Sequence, residues 1–300
     1  MTDTLTATLT ASYDISLRIR YDYTTPAAGG RHLVRLLPIT RAGSQRLVAG
    51  HIDIGPDLNE RTESVDFFGN HTVAFALTSH HDHISLKLTA RVDRAAQPPA
   101  GRSVGIMDLG PALASVRALD GLSPLHFRAA SPRVPLNDTI TDYGRSLVVP
   151  GQTVTELVET LGQALHHDMR YDPEATEVDT PAAEAFEKRH GVCQDFSHIM
   201  IASLRGLGIP SGYVSGFLRT IPPPGKPRLE GADAMHAWVR AWCGPEAGWV
   251  DYDPTNATFA GQDHIEVAFG RDYSDVAPIK GMMRGASGQR SLQEVDVVPR

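Results

Sequence analysis

The sequence predicts an α+β protein: an N-terminal antiparallel β-sandwich, followed by helices packed on an antiparallel sheet. Three observations predict it. Short alternating strands broken by turns fill residues 12–92. Helical periodicity then runs to about residue 207, and strand alternation returns after Pro210. The chain has 300 residues, which suits roughly two domains at ~100–200 residues each.

In YDISLRIRYDY, Ile15, Leu17, Ile19 and Tyr21 share one strand face. A turn follows through Pro26, Gly29 and Gly30. HLVRLLPI and RLVAGHIDIGP read as the second and third strands. SVDFFGNHTVAFAL reads as a hairpin around Gly69 and Asn70. ISLKLTARV closes the set, with Ile84, Leu86 and Leu88 on one face. This sandwich is assigned to residues 1–95, as a structural unit or a docking domain for substrate. Residues 96–124, with AAQPPAGR and GIMDLGPAL, read as a connecting segment. Residues 125–300 are assigned to a second domain with a C-terminal tail.

The second domain opens on helices. Thr153 and Glu156 are spaced as a capping box, and Val154, Leu157, Val158, Leu161 and Leu165 form a core-facing stripe. Thr180-Pro181 begins the next helix, with proline at its first position, and Gly191 ends it. The segment GVCQDFSHIMIASLRGLGIP then carries the most information. Phe196, Ile199, Met200, Ser203, Leu204 and Leu207 make one buried helical face. Gly208 suits a left-handed cap, and Pro210 prevents continuation. Strands follow in GYVSGFLRT, AMHAWVRAW and GWVDYDPTN, the last stopped by Pro254. His236, Trp238, Arg240 and Trp242 share one face of the second. Between the first two strands, IPPPGKPRLEG reads as an exposed hairpin loop, with a flap over a site as the alternative.

Cys193 lies where the helix begins. Unpaired N–H groups and the helix dipole favour negative charge there, which suits a thiolate nucleophile. His236 on a strand and Asp253 at a strand end supply a base and an orienting acid. Together they make the three parts of a Cys-His-Asp site. Asp251 shares strand parity with Asp253, so alternation does not separate the two.

Bulk properties narrow the function. Net charge is −7 with acids and bases interspersed, so no basic nucleic-acid footprint is expected. No apolar run approaches the ~18 residues of a membrane span. The N-terminus MTDTLTATLTASYD has neither a basic start nor a signal-type apolar run, so a cytoplasmic location is expected. The 2 cysteines, Cys193 and Cys243, are expected to be free thiols.

The blocks GVCQDFSHIMIASLRGLGIPSGYVSGFL, DAMHAWVRAW and GWVDYDPTN together resemble the core of bacterial transglutaminase-like proteins. Those proteins belong to the superfamily of papain-like cysteine acyltransferases and peptidases. RLLPI and DFFGN resemble the β-sandwich that precedes this core in one bacterial subfamily, and HIEVAFGRDYSDVAPIKG resembles that subfamily's ending. The resemblance implies Cys193 as nucleophile, His236 as base and Asp253 as orienting acid. It also implies a thioester intermediate that water or an amine resolves. The matching position at the strand end favours Asp253 over Asp251.

The backbone N–H of Cys193 is the natural first oxyanion donor. Gln194 and Tyr171 are candidates for the second. Asp195 is expected to cap the helix start, and His198 to bond a loop backbone. His81 and His83 of the cluster formed with His80 would face one side of a strand and could hold a divalent metal, but no third and fourth ligand is evident nearby, so no metal site is expected there. Cys243 is expected to be inert. His166 and His167 are expected to be solvated at a helix C-terminus. No metal, EF-hand loop or cofactor is expected. The expected activity is cysteine-dependent hydrolysis of an amide in a peptide, protein or small molecule, through a thioester. The alternatives are protein-glutamine transglutamination with an amine acceptor, and a non-catalytic binding module.

Overall fold

The computed structural model of the chain describes residues 10–96, 101–220, 231, 233–285 and 287–300. The first nine residues, the middle of AAQPPAGR and nearly all of the IPPPGKPRLEG loop lie outside the described residues. Six strands come first: β1 (Thr10–Ala27), β2 (Gly30–Val34), β3 (Gln45–Gly55), β4 (Glu60–Val65), β5 (His71–Leu77) and β6 (His81–Ala95). Next come α1 (Leu109–Ser115), α2 (Asp138–Ser146), α3 (Val154–Asp168), β7 (Arg170–Tyr171), α4 (Ala182–Lys188), β8 (His190–Gly191) and α5 (Cys193–Gly206). The chain ends with β9 (Ser211–Leu218), β10 (Ala234–Trp242), β11 (Trp249–Asp253), β12 (Thr258–Phe259), β13 (His264–Gly270), α6 (Tyr273–Val276), β14 (Ile279–Met283) and β15 (Ser287–Pro299). This is the α+β class the sequence predicts.

Alternation builds the sandwich. Tyr13, Ile15, Leu17 and Ile19 are buried on β1, and register sets Leu17 opposite Leu88 and Ile19 opposite Leu86 on β6. The two antiparallel sheets run β15-β1-β6-β3 and β14-β2-β5-β4. The C-terminal tail, which the sequence reading sets with the second domain, therefore completes both sandwich sheets. Its buried anchors are Val295 and Val297, too short an alternation to announce a long edge strand.

The second domain has the sheet order β12-β11-β10-β9-β13. Among the described residues its outer strand β13 has one edge without a strand partner. Side chains from the sandwich cover that edge. Asn70 donates to the Phe269 carbonyl at 2.9 Å and accepts from its N–H at 2.8 Å. Gln45 does the same for Glu266, at 2.7 and 2.9 Å. Two amides thus satisfy backbone groups that would otherwise template another chain.

The predicted capping box opens α3: Glu156 accepts from the Thr153 N–H at 2.8 Å, and Thr153 accepts from the Glu156 N–H at 3.3 Å. Pro181 is the cap of α4 rather than its first helical residue. That helix stops before Gly191, because Arg189 takes the left-handed conformation at φ 56°. The segment 96–124 is more regular than expected and contains α1. It is pinned to the second domain where the Val104 N–H donates to the Cys243 carbonyl at 3.0 Å. Helix α5 is not one-sided: Gln194 through Arg205 are all buried. Among the described residues no helix is long and apolar enough to cross a membrane.

Candidate active site

Cys193 is the first residue of α5 and is partly exposed. The parallel pair β7–β8 delivers it, with Tyr171 beside Gly191. Val192 holds the cap position and has no side-chain oxygen to offer. Asp195 supplies the missing acceptor by folding back, with Oδ2 2.8 Å from the Val192 N–H and 2.6 Å from Thr176 Oγ1. Gly191 permits this, since a Cβ there would lie 2.5 Å from that oxygen. Burial pushes the Asp195 carboxyl up, against the two bonds that favour its charge. The helix leaves the N–H of Cys193 without an internal partner.

His236 on β10 is buried and touches both other groups. Its Nε2 lies 2.8 Å from Asp253 Oδ2. That leaves Nδ1 for Cys193, which lies close enough to the imidazole to favour its charge. Burial opposes a charge on His236, but the Asp253 bond and the contact with Cys193 outweigh it and raise its pKa to about 10.

Asp253 ends β11 because Pro254 has no N–H to continue the ladder. The DPTN turn aims the N–H groups of Thr255 and Asn256 at Oδ1, at 2.9 and 3.2 Å. Oδ2 takes His236, Asn256 Nδ2 at 2.7 Å and His264 Nε2 at 3.1 Å. These donors outweigh full burial and hold the carboxyl well below its usual range. Asp251 faces elsewhere: it accepts from Trp238 Nε1 at 3.1 Å and from Arg240 Nε at 2.5 Å. The structure therefore separates the two aspartates that alternation could not.

Tyr171 is half exposed, and its hydroxyl pKa is raised first by burial and then by the charge of nearby Cys193. Gln194 is committed elsewhere, donating to the Val178 carbonyl at 3.0 Å. His198 accepts from the Tyr273 N–H at 3.2 Å, and burial lowers its pKa to about 4, so the ring is neutral. His81 turns inward to the Ser79 carbonyl, while His83 pairs with Asp82. Cys243 is fully buried, which pushes its thiol up to about 12. His166 is exposed and bonds the Thr255 carbonyl at 2.8 Å. Exposed His167 pairs with Asp168. His264 and Asn256 were absent from the sequence-predicted set. Asn256 had a signal in the DPTN turn; His264 had only its place before an apolar run.

Residues 141–254 match the transglutaminase-like superfamily, and residues 13–93 match the bacterial transglutaminase-like N-terminal region. An uncharacterized protein of Mycobacterium tuberculosis is 33% identical over 299 residues, covering 97% of this chain and 93% of that one. An uncharacterized protein of Mycobacterium leprae is 28% identical over 281 residues, covering 93% and 94%. The crystal structure of a candidate cysteine protease from Cytophaga hutchinsonii superposes with a TM-score of 0.75 at 22% identity, covering 97% of this chain and 91% of that one. That likeness extends the shared fold across both domains. The chain belongs to the transglutaminase-like superfamily, and it carries the bacterial N-terminal region ahead of the core.

Proposed function

We propose that this protein hydrolyses amide bonds through a thioester on Cys193, with His236 as acid and base and Asp253 as orienting acid. One observation carries the reading: a single buried imidazole contacts both Cys193 and an ionised Asp253. In the first step the thiolate attacks the amide carbonyl carbon, a C–S bond forms, and the oxygen becomes an oxyanion. The Cys193 N–H donates to that oxygen. Nδ1–H of the imidazolium then gives its proton to the amide nitrogen, the C–N bond breaks, and the amine leaves. Water follows, giving a proton to Nδ1 as it attacks the thioester. The carboxylic acid departs and the thiolate returns.

Hydrolysis is favoured over transfer to an amine because nothing among the described residues of the site marks an acceptor for one. Peptides, proteins and small amides are the substrate classes. A cytoplasmic location belongs to the same reading, since a reducing compartment keeps Cys193 usable.

The test is a library of peptides and simple amides, with and without a fluorescent primary amine. Wild type should release carboxylic acids with no amine incorporated, and Cys193→Ala should release none. Preferential incorporation of the amine would establish transamidation instead. Equal turnover by Cys193→Ala would end the catalytic reading.

A further inference from the structure

We propose that His264 is a fourth member of this site: a positioning residue that holds Asp253 for His236 and is itself set from the sandwich through Gly261. The proposal rests on the triad reading above.

The geometry fixes the proton on His264. The Gly261 N–H donates to His264 Nδ1 at 3.2 Å, so Nδ1 carries the lone pair. Nε2 therefore carries the hydrogen and donates it to Asp253 Oδ2 at 3.1 Å. Asp253 thus takes a neutral donor on the same oxygen that serves His236. Trp238 packs on both imidazoles. It lies edge-on to His264, with centroids 5.3 Å apart, and is stacked with His236 at 6.4 Å. The carboxylate has no solvent exposure, so water has no access to replace a lost donor.

The sandwich reaches this point through the turn before β13. Arg94 on β6 donates to the Gly261 carbonyl at 2.9 Å. Tyr13 on β1 donates to Asp263 at 3.0 Å, as does Arg219. The turn that presents the Gly261 N–H is therefore clamped by two sandwich strands.

Among the described residues, α3 brings two further titratable groups toward the strand end at Asp253: Glu159, whose charge acts on Tyr252, and His166, which bonds the Thr255 carbonyl. His236 comes from β10, and Tyr252 stands beside it on β11. Asp263 is turned to Arg219 and Tyr13, and Arg94 lies toward Asp251 and Glu266.

The test is the pH profile of Cys193 alkylation by iodoacetamide in the full chain, with adducts assigned by mass spectrometry and folding checked by circular dichroism. It needs no substrate. In His264→Leu, Asp253 loses one donor and holds its proton to a higher pH. His236 then loses its anionic partner sooner on acidification. The acid limb should move up by about one pH unit, the scale of one charge-assisted hydrogen bond. His264→Gln, whose amide can donate from a similar place, should restore the limb. A packing role alone would lower stability without moving it. His264→Asn accepts from Gly261 but is too short to reach Asp253, and it serves if His264→Leu does not fold. A folded His264→Leu or His264→Asn with the wild-type limb overturns the proposal and leaves the triad standing. A wild type that alkylates like an ordinary thiol, with His236→Ala making no difference, overturns both.

Discussion

Asp251 and Asp253 sit two residues apart on one strand face, and their surroundings divide their work. Asp253 is closed in by two histidines, an asparagine and two backbone N–H groups. Asp251 accepts from Trp238 and Arg240, away from the thiol. Asp253→Asn should cut turnover roughly 10²–10⁴-fold with little change in KM, because the amide no longer fixes the imidazole's tautomer and charge. Asp251→Asn should keep turnover near wild type and cost roughly 1–3 kcal/mol of stability. Steady-state kinetics and urea unfolding on the same samples check both; a folded Asp251→Asn that has lost turnover would reverse the assignment. The placement of Cys193 at a helix start and of His236 on a strand is legible in the sequence because both signals are local. The choice between aspartates was not local. It depends on how β11 pairs with β10, where Arg240 lies opposite Asp251. His264 was less readable still, because it reaches Asp253 only once β13 has paired with β9.

At the scale of elements, α5 shows where periodicity succeeds and where it stops. The predicted stripe is buried from Phe196 to Leu204 and only partly buried at Leu207, the helix cap, yet the opposite face is buried as well. Ser197 is fully covered, and Arg205 spends its guanidinium on the carbonyls of Ser211, Ala129 and Arg271. Helix α2 approaches so closely that a Cβ on Gly206 would lie 2.0 Å from Thr141 Oγ1. A polar residue under such cover reads as a solvent face in sequence, because its partners lie far along the chain. The start of α5 carries Cys193, the proposed nucleophile, and Asp195 is what holds it. Asp195→Ala removes the acceptor for the Val192 N–H and for Thr176 together. It should cost about 1–2 kcal/mol in thermal or urea unfolding, the range for losing a helix cap. It should also slow alkylation of Cys193, since the loop carrying Thr176 and Val178 loses one of its two ties to α5. Asp195→Asn keeps an acceptor and should recover most of the stability. Wild-type stability and alkylation in Asp195→Ala would show that the fold-back carboxylate holds nothing.

Across the whole molecule, the two domains share structure rather than merely touching. The chain leaves the second domain to supply β14 and β15, an edge strand for each sandwich sheet. In return, the sandwich side closes β13 with Gln45, Asn70 and Arg41. The deepest of these ties is ionic. Glu266, almost wholly buried, accepts from Arg41 Nε at 2.7 Å and from Arg240 at 2.9 and 2.8 Å. The two guanidinium groups outweigh the cost of burial and hold the Glu266 carboxyl well below the usual carboxylate range. Glu266→Gln would leave Arg41 facing a neutral amide, while Arg240 would keep Asp251 as its remaining anionic partner. Losing the shared anion should cost roughly 1–3 kcal/mol, because Asp251 still compensates Arg240 and water reaches part of Arg41. The consequence should reach both domains. Trp238, Trp242 and Trp249 all lie in the second domain, so their fluorescence reports its unfolding, while far-ultraviolet circular dichroism also follows the strand-rich sandwich. Shared strands and a shared ion cluster predict that the two signals fall together in urea, in wild type and in Glu266→Gln, with the variant's midpoint lower for both. A variant in which fluorescence shifts while the circular dichroism transition keeps its wild-type midpoint would mean that the domains fold as independent units and that Glu266 serves only one of them.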